Sequence, residues 1–84
     1  MYDYYFTFRS MLPAQRAAAY LQEQGLSAAF LRSPAALAKH GCGYAVLVKE
    51  YEAKRASFFL LAIGMSYEKI LKRDSAGVFR EVFL

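Results

Sequence analysis

An α+β sandwich in the order β-α-β-β-α-β, with an antiparallel sheet and both helices on one face, is the fold class this 84-residue sequence predicts. Three observations lead there. Four short stretches, the first of them aromatic and β-prone, read as strands, and two longer stretches carry helical spacing. Each of those longer stretches runs into a glycine suited to a helix end. A split βαβ repeat in this order closes with its helices on one side of the sheet only.

Residues 4–9, YYFTFR, are aromatic and β-prone, and read as a central first strand. Ser10 offers an N-cap, and Pro13 is tolerated within a first helical turn. In AQRAAAYLQEQ, Ala14, Ala17, Ala18 and Leu21 recur at helical spacing, with Gln15, Arg16, Gln22 and Glu23 on the other side. Gly25 ends this helix, and LSAAFLR, residues 26–32, reads as the second strand. Ser33, Pro34 and Gly41 then bracket a short helix over 34–40, with Lys39 and His40 near its negative end. GYAVLVK, residues 43–49, is an almost continuous apolar run and reads as an inner strand.

EYEAKRASFFLLAIG follows as the second main helix, ending at Gly64, with Ala56, Phe59, Leu60 and Ile63 as its core stripe. Phe58 and Leu61 lie off that stripe and point to a contact beyond the domain's own sheet. SYEKILKR, residues 66–73, reads as the fourth strand, DSAG as a turn, and VFREVF as an extra C-terminal strand. The expectation is a single ferredoxin-like domain over residues 1–84, with its core at about 3–73 and a C-terminal extension at 74–84.

Composition narrows the function. A hydrophobic content of 57% with 21% charged residues marks an ordered globular chain. One cysteine cannot form an intrachain disulfide, and no apolar run approaches the ~18 residues that cross a bilayer. With no signal peptide legible, a cytoplasmic location and no membrane partner are expected. The net charge of +4 favours anionic partners in general, although the basic residues are mostly scattered. Seven Tyr and seven Phe exceed the needs of one small core, so aromatic surface buried against a partner, as in a homo-oligomer, is expected.

The chemistry-bearing stretch is KHGCGYAVLV, residues 39–48, with the only cysteine between two glycines. In a split βαβ fold the third strand returns beside the first, so its start lies next to the first strand's end. Cys42 is therefore expected near Arg9, Ser10 and the first helix's N-terminus, where free N–H groups and a cation favour a thiolate. Gly41 and Gly43 leave its flanks uncovered for a large donor or acceptor. The plain alternative is a small buried hydrophobe, the commonest use of a free cysteine. His40 reads as a solvated or capping residue, since sequence neighbours seldom have nucleophile–base geometry. One Cys and one His do not close a zinc site, and no phosphate-binding glycine motif occurs. A non-enzymatic protein without a metal or other cofactor is expected.

Several stretches together resemble the small bacterial Se/S carrier-like proteins: YYFTFRS at the start, AQRAAAYLQEQG, LRSPAALAKHGCGYAVLV, and the YEKILKR strand. The likeness covers roughly residues 2–73, and its most specific parts are the aromatic start and the Cys-Gly ahead of an apolar strand. The resemblance implies that Cys42 corresponds to a carrier cysteine, holding sulfur or selenium as a persulfide or selenylsulfide. Gly43 corresponds to the following glycine, and Ser33-Pro34 to the opening of the loop helix. Donor and acceptor proteins for sulfur or selenium are the implied partners. The sequence departs from carriers with Cys-Pro-x-Pro at a helix start, since Gly43 and Tyr44 follow the cysteine here. Residues 74–84 fall beyond the likeness and are expected to serve dimerisation.

Two alternatives remain. One is a non-catalytic interaction or regulatory module that docks through a sheet edge or face. The other, disfavoured, is RNA binding, because HGCGYAVL only loosely resembles an RNA-recognition octamer. Cys42 and Leu47 stand where that octamer has aromatic residues, leaving Tyr5 and Tyr44 as a stacking surface.

Overall fold

A computed structural model describes residues 3–32 and 43–84. Strand β1 (Asp3–Phe8) leads into helix α1 (Met11–Glu23), followed by β2 (Ala29–Arg32). Strand β3 (Tyr44–Lys49) continues through a 3-10 turn (Glu50–Glu52) into helix α2 (Ala53–Ala62), then β4 (Ile70–Arg73) and β5 (Phe79–Val82). All four strand pairings are antiparallel, in the order β2-β3-β1-β4-β5. The first four follow the ferredoxin-like order, and β5 extends that sheet beyond β4. The short helix expected over 34–40 lies outside the described residues.

Alternation along β1 divides the sheet's two faces. Phe6 and Phe8, with Val46, Val48 and Ile70, pack with Ala14, Ala17, Ala18, Leu21, Ala56 and Leu60 of the helices. The four-residue α1 stripe read from spacing is buried throughout. Three of its four members are alanines, so only Leu21 puts a bulky side chain between this helix and the sheet. Tyr5, Ala45 and Leu71 form a smaller cluster on the other face, joined by Leu31, Leu47 and Phe79.

Both helices stop for the same reason. Gly25 and Gly64 adopt φ of +88° and +73°, where a Cβ is strained. Leu26 N–H and Gly25 N–H donate to the carbonyls of Leu21 and Gln22, and Met65 and Gly64 donate to Leu60 and Leu61. These paired bonds are the Schellman arrangement, which satisfies carbonyls that the last turn would leave open.

Three boundaries move from the expected positions. The second and fourth strands begin at Ala29 and Ile70, later than residues 26 and 66. Ser27 N–H donates to the buried Glu52 carboxylate, and Tyr67 OH shares a hydrogen bond with Ser57. Backbone donor and ring oxygen are thus committed to neighbouring elements ahead of each strand. The core stripe of the second helix also changes: Ala56 and Leu60 are buried, Phe59 is half-buried, and Ile63 is exposed. Because α2 ends at Ala62, Ile63 no longer follows the helical stripe.

Candidate functional site

The site grows from the pairing of β1 with β3. Phe8 lies opposite Tyr44, so the chain leaving β1 and the chain entering β3 meet at one end of the sheet. A Cβ placed on Gly43 would stand 3.6 Å from the carbonyl oxygen of Arg9, an ordinary contact. Gly43 is exposed, as are Arg9 and Ser10. Three of the expected site residues are therefore together: Arg9, Ser10 and Gly43. Cys42, Gly41 and His40, with Lys39, lie outside the described residues.

Ser10 occupies the N-cap position of α1 with extended backbone, but its side chain makes no cap hydrogen bond. The first turn has no acidic residue, and Pro13 supplies no donor there. The remaining first-turn N–H groups keep the partial positive charge of a helix start, without a serine oxygen closing over them.

Arg9 is held by a residue the sequence reading missed. Its Nε lies 2.9 Å from Glu68 Oε1, with both side chains substantially exposed. The pair is anchored from below: Glu68 N–H donates to Thr7 carbonyl at 2.8 Å, which ties the approach to β4 onto the end of β1. The guanidinium already has a counter-charge. An anion beside Gly43 gains less from Arg9 than a lone arginine would give, and solvent weakens the remainder. The same topological rule held the signal for Glu68, because β4 also runs antiparallel to β1 and begins at its end.

The stacking surface that the disfavoured RNA-binding reading requires does not form. Tyr5 lies on the face away from the helices, is 4% exposed, and meets Phe79 edge-on at 5.3 Å. Tyr44 lies on the helix face, stacked against Phe30 at 6.0 Å with Arg32 over its ring. Opposite faces cannot present two rings to successive bases. An open pocket of about 630 Å³ lies elsewhere, lined by Tyr4, Glu50, Tyr51, Ala53, Lys54 and Leu84. Tyr4 pairs with Val48, so this pocket is at the opposite end of the sheet from Gly43. Among the described residues, no cluster of His, Cys, Asp and Glu could hold a metal ion. No helix among them is long and apolar enough to cross a membrane.

Fold and junction together define a ferredoxin-like α+β domain whose only cysteine stands two positions ahead of an inner strand in the sequence. Residues 3–72 match the family described as "Putative Se/S carrier protein-like", and the chain belongs to that family. Comparisons with curated proteins and with solved structures gave no match.

Proposed function

We propose that the protein is a non-enzymatic carrier of sulfur or selenium, with Cys42 as its attachment point. The observation that carries this reading is the family match across residues 3–72, in a chain with one cysteine. The junction at Gly43 supports it, because this residue, next to Cys42 in the sequence, lies beside Arg9 just ahead of α1. In this reading the Cys42 thiolate attacks the terminal sulfur of a protein persulfide. A new S–S bond forms on Cys42, the donor's S–S bond breaks, and the donor leaves as a thiolate. Selenium transfers in the same way from a selenylsulfide. Each step exchanges one zero-valent atom and needs no external oxidant or reductant.

The α1 N-terminus supplies fixed dipoles for the resulting anion. Arg9 contributes through the Arg9–Glu68 pair, as a positioning group more than as a free charge. Donor and acceptor proteins in the cytoplasm complete the proposal. Its test is incubation with a protein persulfide followed by intact-mass measurement. Wild type is expected to gain the mass of one sulfur atom, removable by a thiol reductant, and Cys42→Ser to gain nothing. No adduct on wild type, or equal adducts on both, refutes the assignment.

A further inference from the structure

The cavity at the start of α2, about 630 Å³ in volume, falls within the range of about 300–1,000 Å³ that small-molecule sites occupy. Tyr4 is its most buried polar member. The side chain belongs to the core on the helix face and is only 9% exposed. Its hydroxyl has no hydrogen-bond partner among the described residues. A buried phenol ordinarily finds one, because an unmet hydroxyl away from water is costly. The Tyr4 hydroxyl is therefore available to a molecule that enters the cavity.

Two opposite charges line the same space. Lys54 stands in the first turn of α2 and Glu50 in the 3-10 turn before it, both of them exposed. They form no ion pair with each other. Glu50 has an interaction elsewhere in the chain, and the two oxygens of a carboxylate leave further acceptor positions. Glu52, the other acid of the turn, is buried with its carboxylate on Ser27 N–H, so it does not enter the balance. The Tyr51 ring, Ala53 and Leu84 supply the apolar walls.

This lining selects by charge. A simple anion gains from Lys54 and is repelled by Glu50, and a simple cation meets the reverse. An uncharged apolar molecule takes water from both charges and gives neither a partner. A molecule with an ammonium and a carboxylate on one carbon, and an apolar group beyond, satisfies every part. Its carboxylate accepts from Lys54 Nζ and the Tyr4 hydroxyl, and its ammonium donates to Glu50. Its side group lies against Tyr51, Ala53 and Leu84. We infer that this cavity binds a free α-amino acid with a large apolar side chain. It lies at the opposite end of the sheet from Gly43, so the site stands apart from the carrier reading.

The test is an NMR titration of the ¹⁵N-labelled full chain with L-phenylalanine, with calorimetry alongside. Wild type is expected to bind with a dissociation constant of about 10 μM to 1 mM, the affinity of a small ligand in an open site. Amide shifts are expected at residues 4, 50–54 and 84. N-acetyl-L-phenylalanine keeps the carboxylate alone, and L-phenylalanine amide keeps the ammonium alone. Each is expected to bind at least about tenfold more weakly. Lys54→Met and Glu50→Gln are expected to weaken L-phenylalanine binding by a similar factor, and Tyr4→Phe by about threefold or more. Tyr4→Phe is also expected to leave the melting temperature of the free protein unchanged or raised, since its hydroxyl has no partner to lose. No saturable binding by about 10 mM overturns the assignment, as does equal binding of either derivative or indifference to all three variants. A clear fall in the melting temperature of Tyr4→Phe gives its hydroxyl to the fold and overturns its role here. Shifts confined to the Gly43 end of the sheet overturn the location.

Discussion

Thr7 is the residue that binds the two halves of the sheet at the candidate site. It is fully buried, and its Oγ1 both donates to Lys69 carbonyl at 3.2 Å and accepts from Lys69 N–H at 3.0 Å. Its main chain adds Thr7 N–H to Lys69 carbonyl at 2.9 Å. Thr7→Val keeps the shape and removes the hydroxyl, so one backbone amide loses its acceptor. A loss of about 1–3 kcal/mol is expected in urea unfolding. A smaller change means that water replaces the hydroxyl. Little of this was legible in the sequence, where Thr7 sits in an aromatic run as an ordinary β-branched residue. The contact at Gly43 was legible, because the topology alone brings the third strand's start to Arg9. The Arg9–Glu68 pair was not read, since the partners are far apart in the chain and both are exposed.

Among the elements, the β4–β5 hairpin shows most directly how a turn fixes a strand. Asp74 Oδ1 accepts the N–H groups of Val78 at 3.0 Å and Ala76 at 2.9 Å, and Gly77 turns with φ of +82°. The bond from Val78 N–H is the main cause of a carboxyl held below the ordinary aspartate range. That from Ala76, the Arg80 charge and the Gly77 amide help, against some desolvation. Because the folded state favours the ionised form, this contribution is present above the unfolded value near 3.9 and is lost as pH falls through the lower folded value. An NMR titration of the Asp74 carboxyl is expected to give a midpoint below about 3.9. A midpoint at or above that value contradicts the turn's role. The DSAG turn and its strand were legible from Asp and Gly placement. The starts of β2 and β4 were not, because hydrophobic alternation does not reveal which donors bond outside the ladder.

At the scale of the whole molecule, the layered fold was legible and its outer surfaces less so. Helical spacing located the α1 stripe without error, since burial there follows one period. It misplaced Ile63, since a helix end depends on how the following glycine folds. Phe6 lies in the middle of the core, fully buried on the central strand and edge-on to Tyr67 at 4.9 Å. Phe6→Ala is expected to cost about 3–5 kcal/mol. For a chain of 84 residues the total is about 4–13 kcal/mol, so the variant is expected to lose a large share of its stability and to melt at a clearly lower temperature. A thermal transition little changed from wild type means that the core closes around the gap.

The strand order β2-β3-β1-β4-β5 also has a consequence in time. Strand β1 precedes the other four in the chain, is the central one, and is flanked by partners that leave the ribosome later. Its tie to Lys69 spans 62 positions. At ordinary synthesis rates, on the order of seconds separate the emergence of Phe8 from that of its second neighbour. Until β3 emerges the aromatic run YYFTF has two unpaired edges, and until β4 emerges it keeps one. Early burial against α1 covers one face of β1, and the sheet is completed only once β4 and β5 have followed.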